Sequence, residues 1–170
     1  MVINIGALKS HNYALVYNDI RAVIDASPGK VVKVILETVF LSEEEKIAGS
    51  VLAAEAGAAF VKTCTGFSGG GASIGDVVLM KKAVSYKEGV KVKASAGIRS
   101  REACLEMLQA GADRIGTCVD VHSLITCHRL LIYCEQVIGG EHHARSGNHS
   151  GFVLMLFFSM LTTRYHSEAA

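Results

Sequence analysis

The sequence predicts an α/β fold in which parallel strands are joined by helical crossovers. Three observations carry that prediction. Short β-branched apolar runs alternate along the chain with stretches whose apolar residues recur at helical spacing. The triplets Ala56-Gly57-Ala58 and Ala110-Gly111-Ala112 each precede a strand, and their glycines are suited to end helices in the left-handed conformation, as in a repeated unit. The chain has 170 residues, half of them apolar and only one of them proline, enough for one domain with a sizeable core.

Taken in order, strands are expected over residues 2–5, 31–37, 59–64, 90–95 and 114–117. Between them, Val16, Ile20, Val23 and Ile24 fall on one helical face, then Ile47, Val51 and Ala54, then Ile74, Val77, Val78 and Val84. Ser42 followed by Glu45 is a capping-box signature, and Ser100 can cap a helix running to Ala110. A unit of about 27 residues repeated eight times would make a small (β/α)8 barrel. Five strands make either a complete doubly wound sheet or the later part of such a barrel. Residues 118–138 could add a helix, whereas 139–170 hold a polar stretch and a short apolar run over 152–161. That run is half the roughly 20 residues a membrane helix needs. The division expected is a domain over 1–117 and a helical or disordered tail over 118–170.

Seventeen basic and sixteen acidic side chains leave a net charge of +1, so no electrostatic case for nucleic acid or an anionic membrane arises. Five cysteines without a CxxC pair, and no apolar signal segment, lead to an expectation of reduced thiols in the cytoplasm. Cys118, His122, Cys127, His128 and Cys134 fit no standard zinc spacing, so no metal is expected, and His142, His143 and His149 are expected on an exposed tail. Cys64 reads as a small buried residue.

The chemistry lies in three lysines. Strands of a covered parallel sheet usually read as unbroken apolar runs, yet Lys33, Lys62 and Lys93 each interrupt one. They are 29 and 31 residues apart, which predicts similar levels on three consecutive strands. A lone lysine near a strand end can run its stem along the core and place its head in water, or pair with a carboxylate such as Glu37. Three in register would instead cluster, and burial together with a neighbouring ammonium favours the uncharged amine, which is a nucleophile able to form a Schiff base with a carbonyl. Lys30 and Lys91, at strand starts, read as solvated charges. Gly66-Phe67-Ser68-Gly69-Gly70-Gly71 and Ala96-Gly97-Ile98-Arg99-Ser100 follow two of the lysine strands. Such loops can expose backbone N–H groups beside a helix N-terminus to a phosphate, with Arg99 at hand, although many βα turns need glycine for backbone geometry alone.

Four ordered segments, Met1-Val-Ile-Asn-Ile-Gly-Ala-Leu-Lys-Ser10, Val32-Lys-Val-Ile-Leu-Glu-Thr38, Phe60-Val-Lys-Thr-Cys-Thr-Gly-Phe67 and Val92-Lys-Ala-Ser-Ala-Gly-Ile-Arg99, closely resemble the deoxyribose-phosphate aldolase family over residues 1 to about 117. The resemblance implies a partial (β/α)8 TIM barrel comprising about its last five strands. It also implies class I aldolase chemistry without a cofactor: reversible cleavage of 2-deoxy-D-ribose 5-phosphate to glyceraldehyde 3-phosphate and acetaldehyde. It casts Lys62 as the Schiff-base lysine, Lys93 as the cation beside it and Lys33 as an assistant in the same polar network, with Thr65, Gly66, Gly97 and Arg99 binding substrate.

The departures are specific. The family's proton-transferring aspartate stands immediately before the segment matching Met1-Val2-Ile3-Asn4. Cys64 replaces a usual serine, Ala96 a usual glycine, and Cys118-Val119 small, usually hydroxylated residues. Beyond 117 the resemblance stops, as with a shifted reading frame or an unrelated extension. The expectation is a truncated aldolase whose open sheet edges could pair with another copy. An inactive remnant, or a different barrel-type phosphosugar enzyme such as an isomerase using a carboxylate base, stays open from the residues alone.

Overall fold

The computed structural model of the chain describes residues 1–117 and the strand at 132–133. The elements run α1 (Ile5–Lys9), α2 (Tyr13–Asp25), β1 (Lys33–Ile35), a 3-10 turn (Thr38–Phe40), α3 (Glu43–Ala56), β2 (Phe60–Lys62), α4 (Ile74–Val84), β3 (Lys91–Ser95), α5 (Arg101–Gln109), β4 (Arg114–Gly116) and β5 (Ile132–Tyr133).

The five α-helices among the described residues begin with the same local chemistry. The side chains of Asn4, Asn12, Ser42, Ser73 and Ser100 each accept a hydrogen bond from the backbone N–H three residues on. A cap of this kind satisfies one otherwise unpaired donor and stabilises a helix by about 1 kcal/mol. At Ser42 the expected capping box is complete, since the Glu45 carboxylate accepts in return from the Ser42 N–H. Gly57 ends α3 and Gly111 follows α5, both with positive φ, as the repeated triplets predict.

The first expected strand, 2–5, is corrected. Only Val2 bridges to Ile35, flanked by hydrogen bonds from Ile3 N–H to Ile35 and from Ile35 N–H to Met1. The chain then turns at Asn4 into α1, because the Asn4 side chain competes for the backbone N–H of Ala7 and the short helix buries Leu8. Two expected helix faces also shift. On α3, Ile47 is exposed while Gly49, Ser50, Ala53, Ala54 and Ala56 are buried. This helix lies between α2 and α4, where small side chains permit close approach. On α4, Val77, Met80 and Val84 are buried, and Ile74, at the first helical position, is exposed.

The sheet runs β1-β2-β3-β4-β5 in sequence order, every neighbour parallel. That order decides between the two architectures the sequence allowed. A doubly wound sheet reverses its strand order and carries helices on both faces, whereas a barrel arc adds each strand beside the last. Alternation along the strands gives the same answer. Val34, Leu36, Val61, Val92, Ala94 and Ile115 point to one face and are fully buried in the single core shared with the helices. The residues between them, Lys33, Ile35, Phe60, Lys62, Lys91, Lys93, Ser95 and Arg114, point to the other face, which corresponds to a barrel's interior. Within 118–138, expected as helix, Ile132 and Tyr133 instead pair with Ile115 and Gly116 as a strand. The rest of the expected tail, including Cys118, Val119, His122, Cys127, His128, Cys134, the histidines at 142, 143 and 149 and the run 152–161, lies outside the described residues.

Candidate functional site

The interior face carries an unusual load for a sheet, and strand register arranges it in rows. Ile35, Lys62, Lys93 and Arg114 are successive partners in one row; Lys33, Phe60 and Lys91 form the next row toward the strand starts. Lys62 and Lys93 therefore stand side by side, about 4.8 Å apart at the backbone as neighbouring strands require. They are 7% and 0% exposed. Lys33 shares their face but sits one row lower, opposite Phe60, so the expected single level for three lysines holds for two. The reason is a register offset of two residues, since 29 residues separate Lys33 from Lys62 while the strand partner of Lys62 is Ile35. Lys91 and Lys30 are exposed, as expected of solvated charges.

The fields of Lys62 and Lys33 meet at the start of the chain. The Met1 amino group donates to the Lys33 carbonyl, and its pKa is lowered, first by burial, then by Lys62 and then by Lys33. Burial and like charge both act against the protonated form of this amino group.

Beside the row, Gly116 gives Lys93 and Ser95 their space. A Cβ at this position would lie 2.7 Å from Ser95 Oγ and 3.2 Å from Lys93 Cε. The Thr63 hydroxyl locks β2 to β3 at the same level, donating to the Ser95 carbonyl and accepting from the Ser95 N–H. Cys64 is fully buried with its Sγ 3.3 Å from the Thr38 hydroxyl, which fits the structural role expected of it.

The two glycine-containing loops converge at the C-terminal ends of β2 and β3. Ala72 N–H donates to the Ala96 carbonyl at 2.9 Å, and Gly71 approaches so closely that a Cβ there would lie 2.7 Å from that carbonyl oxygen. Gly66 and Gly97 both have positive φ, at 100° and 76°, as does Ala96 at 78°. Gly66, Gly97 and Arg99 are exposed at this end, above the buried lysines, and Thr65 is half-buried beside them. The structure thus brings Thr65, Gly66 and Gly97 to the strand ends that follow Lys62 and Lys93. Arg99 lies in the second loop, just before the Ser100 cap of α5.

Glu37 is a residue whose part at this site the sequence reading did not identify. It is 3% exposed, adopts a left-handed conformation with φ 56°, and its carboxylate accepts from the Thr65 N–H and, at 2.6 Å, from the Thr65 hydroxyl. Thr65 in turn accepts from the Phe67 N–H. The carboxylate, carried on left-handed backbone, therefore sets the start of the β2–α4 loop. The available signal was its position, two residues beyond Ile35, where β1 ends. Among the described residues no group of three His, Cys, Asp or Glu side chains gathers in a metal-binding arrangement, and no helix is long and apolar enough to cross a membrane.

Comparison with known proteins follows the same residues. No family model matches the chain. It is 59% identical over 121 residues to the deoxyribose-phosphate aldolase of Streptococcus sanguinis, covering 71% of this chain and 54% of that protein. A candidate deoxyribose-phosphate aldolase from Coccidioides immitis superposes with a TM-score of 0.67 at 48% identity, covering 69% of this chain and 47% of the other. The tetrameric deoxyribose phosphate aldolase of Aeropyrum pernix gives a TM-score of 0.60 at 34% identity, covering 66% and 48%. The chain spans about half the length of the curated relatives it matches. Over about 70% of its length the chain is thus similar, in sequence and in a sheet that runs as the arc of a barrel, to deoxyribose-phosphate aldolases.

Proposed function

We propose that this chain carries Schiff-base aldolase chemistry on Lys62, acting on 2-deoxy-D-ribose 5-phosphate. The observation that supports it most is the burial of Lys62 and Lys93 as direct partners on one face. A lysine nucleophile acts as the free amine, and both burial and a neighbouring ammonium favour that form. In this reading the Lys62 amine adds to the substrate's C1 aldehyde and water leaves, giving a protonated imine. The C3 hydroxyl then loses its proton and the C2–C3 bond breaks, its electron pair moving toward the imine nitrogen. Glyceraldehyde 3-phosphate departs, the remaining enamine takes a proton at C2, and water releases acetaldehyde and restores the amine.

Lys93 is read as the cation that keeps Lys62 reactive, and Lys33, one row below, as a further contributor to the same positive field. The converging loops support a phosphate subsite made by Thr65, Gly66, Gly97 and Arg99, where N–H groups and a guanidinium can meet a dianion. An isomerase would need a carboxylate base at this end. Glu37, the buried carboxylate here, is engaged by both donors of Thr65, which favours the lysine chemistry. The tetramer formed by the Aeropyrum pernix protein supports assembly of several copies.

The test is acetaldehyde release from 2-deoxy-D-ribose 5-phosphate by the full chain. Release that disappears in Lys62→Ala supports the reading. Folded protein that releases none, or a Lys62→Ala variant that still does, overturns it.

A further inference from the structure

The turn after β1 is built around Glu37, to which the aldolase reading gives no task. The Leu36 N–H donates to the Lys62 carbonyl at 2.9 Å, and the Thr38 N–H donates to the Thr63 carbonyl at 3.1 Å. An even parallel ladder advances two residues on both strands between such bonds, but here the β1 side advances two and the β2 side one. Glu37 is therefore an extra residue, a bulge where the pairing ends. Its backbone is left-handed at φ 56°, a conformation that a residue with a long side chain keeps only where its surroundings hold it. Beside the bulge, the Thr38 hydroxyl meets the Cys64 Sγ at 3.3 Å, with both residues buried. The Glu37 carboxylate takes the Thr65 N–H at 3.2 Å and the Thr65 hydroxyl at 2.6 Å. The hydroxyl oxygen in turn accepts from the Phe67 N–H at 3.2 Å, bracing the chain across Gly66 and its φ of 100°.

We propose that Glu37 is a positioning residue for the β2–α4 loop: by holding both donors of Thr65 it fixes the loop in the shape that receives the phosphate of a phosphorylated sugar. The stretch Gly66-Phe67-Ser68-Gly69-Gly70-Gly71 has many backbone conformations open to it, and ordering it at the moment of binding would cost affinity. A loop fixed beforehand avoids that cost. Two other anchors complete the arrangement. Gly70 lies so close to Val39, in the 3-10 turn that starts directly after Glu37, that a Cβ there would run into the valine side chain. At the far end the Ala72 N–H is tied to the Ala96 carbonyl. Glu37 pins the start of the loop, and it does so from behind: its carboxylate is 3% exposed and turned to Thr65, whereas a carboxylate presented to a phosphate would repel it. The inference rests on the phosphate subsite of the proposed function and gives a residue outside that subsite the task of shaping it.

The experiment is hydrogen–deuterium exchange of the full chain, read by mass spectrometry on the peptide spanning residues 65–73 during titration with glycerol 3-phosphate, with glycerol as the control that lacks the phosphate. In the parent chain glycerol 3-phosphate is expected to slow exchange of this peptide and glycerol to leave it unchanged. Glu37→Ala is expected to speed exchange of the free loop and to raise the concentration needed for half-protection about tenfold, the scale of lost hydrogen bonds to a carboxylate. Glu37→Gln, whose amide oxygen can still accept from one donor of Thr65, is expected to fall between the two. Removing a carboxylate near an anion would by itself tighten binding, so weaker binding in both variants is a result that charge alone does not give. Exchange in α2, over Tyr13–Asp25, is expected to stay at the parent level, which separates positioning of the loop from a general loss of stability. If Glu37→Ala does not fold, Glu37→Gln takes its place. A parent loop that glycerol 3-phosphate does not protect, unchanged or tighter binding in a folded variant, or exchange that rises as much in α2 as in the loop overturns the proposal. Glycerol 3-phosphate has no carbonyl and forms no imine, so the two readings fail separately: protection that weakens in the Glu37 variants of a chain that forms no imine leaves this inference standing, and an imine on Lys62 without protection of the loop leaves the lysine chemistry standing.

Discussion

Lys62 and Lys93 are direct partners across parallel strands β2 and β3, one almost fully and the other fully buried. Side chains in such a place have lost most of their water, and each lies within reach of the other's field. Lys93→Met keeps the length of the side chain and removes its charge. The expected outcome is a folded chain in which imine trapping at Lys62 falls at least about tenfold, a difference of about 1.4 kcal/mol. Borohydride trapping rates for the variant and the parent chain check it.

Gly116 is the neighbour that makes room for this arrangement. Gly116→Ala would push a methyl group toward Ser95 Oγ at 2.7 Å and Lys93 Cε at 3.2 Å. Overpacking of this kind costs about 1–3 kcal/mol. A lower urea midpoint, with the slope unchanged, is the expected result.

Ala96 occupies left-handed backbone at φ 78° where glycine is free of strain. The conformation costs a non-glycine residue about 1–2 kcal/mol, and glycine's greater freedom in the unfolded chain returns part of that. Ala96→Gly is therefore expected to raise stability by up to about 1 kcal/mol, read as a higher urea midpoint.

The capping box gives a pH signature. Glu45 has its carboxyl pKa lowered, first by the Ser42 N–H, with burial opposing and Lys9 adding a hydrogen bond and its charge. A carboxyl depressed in the folded state stabilises at neutral pH, and the contribution is lost as pH falls through the depressed value. Acid unfolding of Glu45→Gln, followed by circular dichroism against the parent, is expected to show a weaker pH dependence across the carboxyl range.

Much of this was legible in the residues because the signals are local. Lys62 and Lys93 stand out in apolar runs, Ser42 and Glu45 spell their cap, and Gly57 ends its helix where the triplet places it. What escaped depends on how strands meet. The offset that drops Lys33 one row is set by β1–β2 pairing, and chain spacing alone cannot supply it. The first strand failed because a single residue, Asn4, could bond to its own backbone and start a helix instead. Glu37 was overlooked as a site residue because its role arises from Thr65, 28 positions away, whose hydroxyl and N–H hold the carboxylate. Arg114 read as the start of a strand, and only the fold shows that it reaches Phe60.

The central claim is that Lys62 forms the imine. Its most direct test is borohydride reduction of the full chain incubated with 2-deoxy-D-ribose 5-phosphate, followed by peptide mass spectrometry. The account predicts a reduced adduct on the peptide containing Lys62 and none in Lys62→Ala. Folded protein without an adduct, or an adduct on Lys33 or Lys93 in place of Lys62, would contradict it.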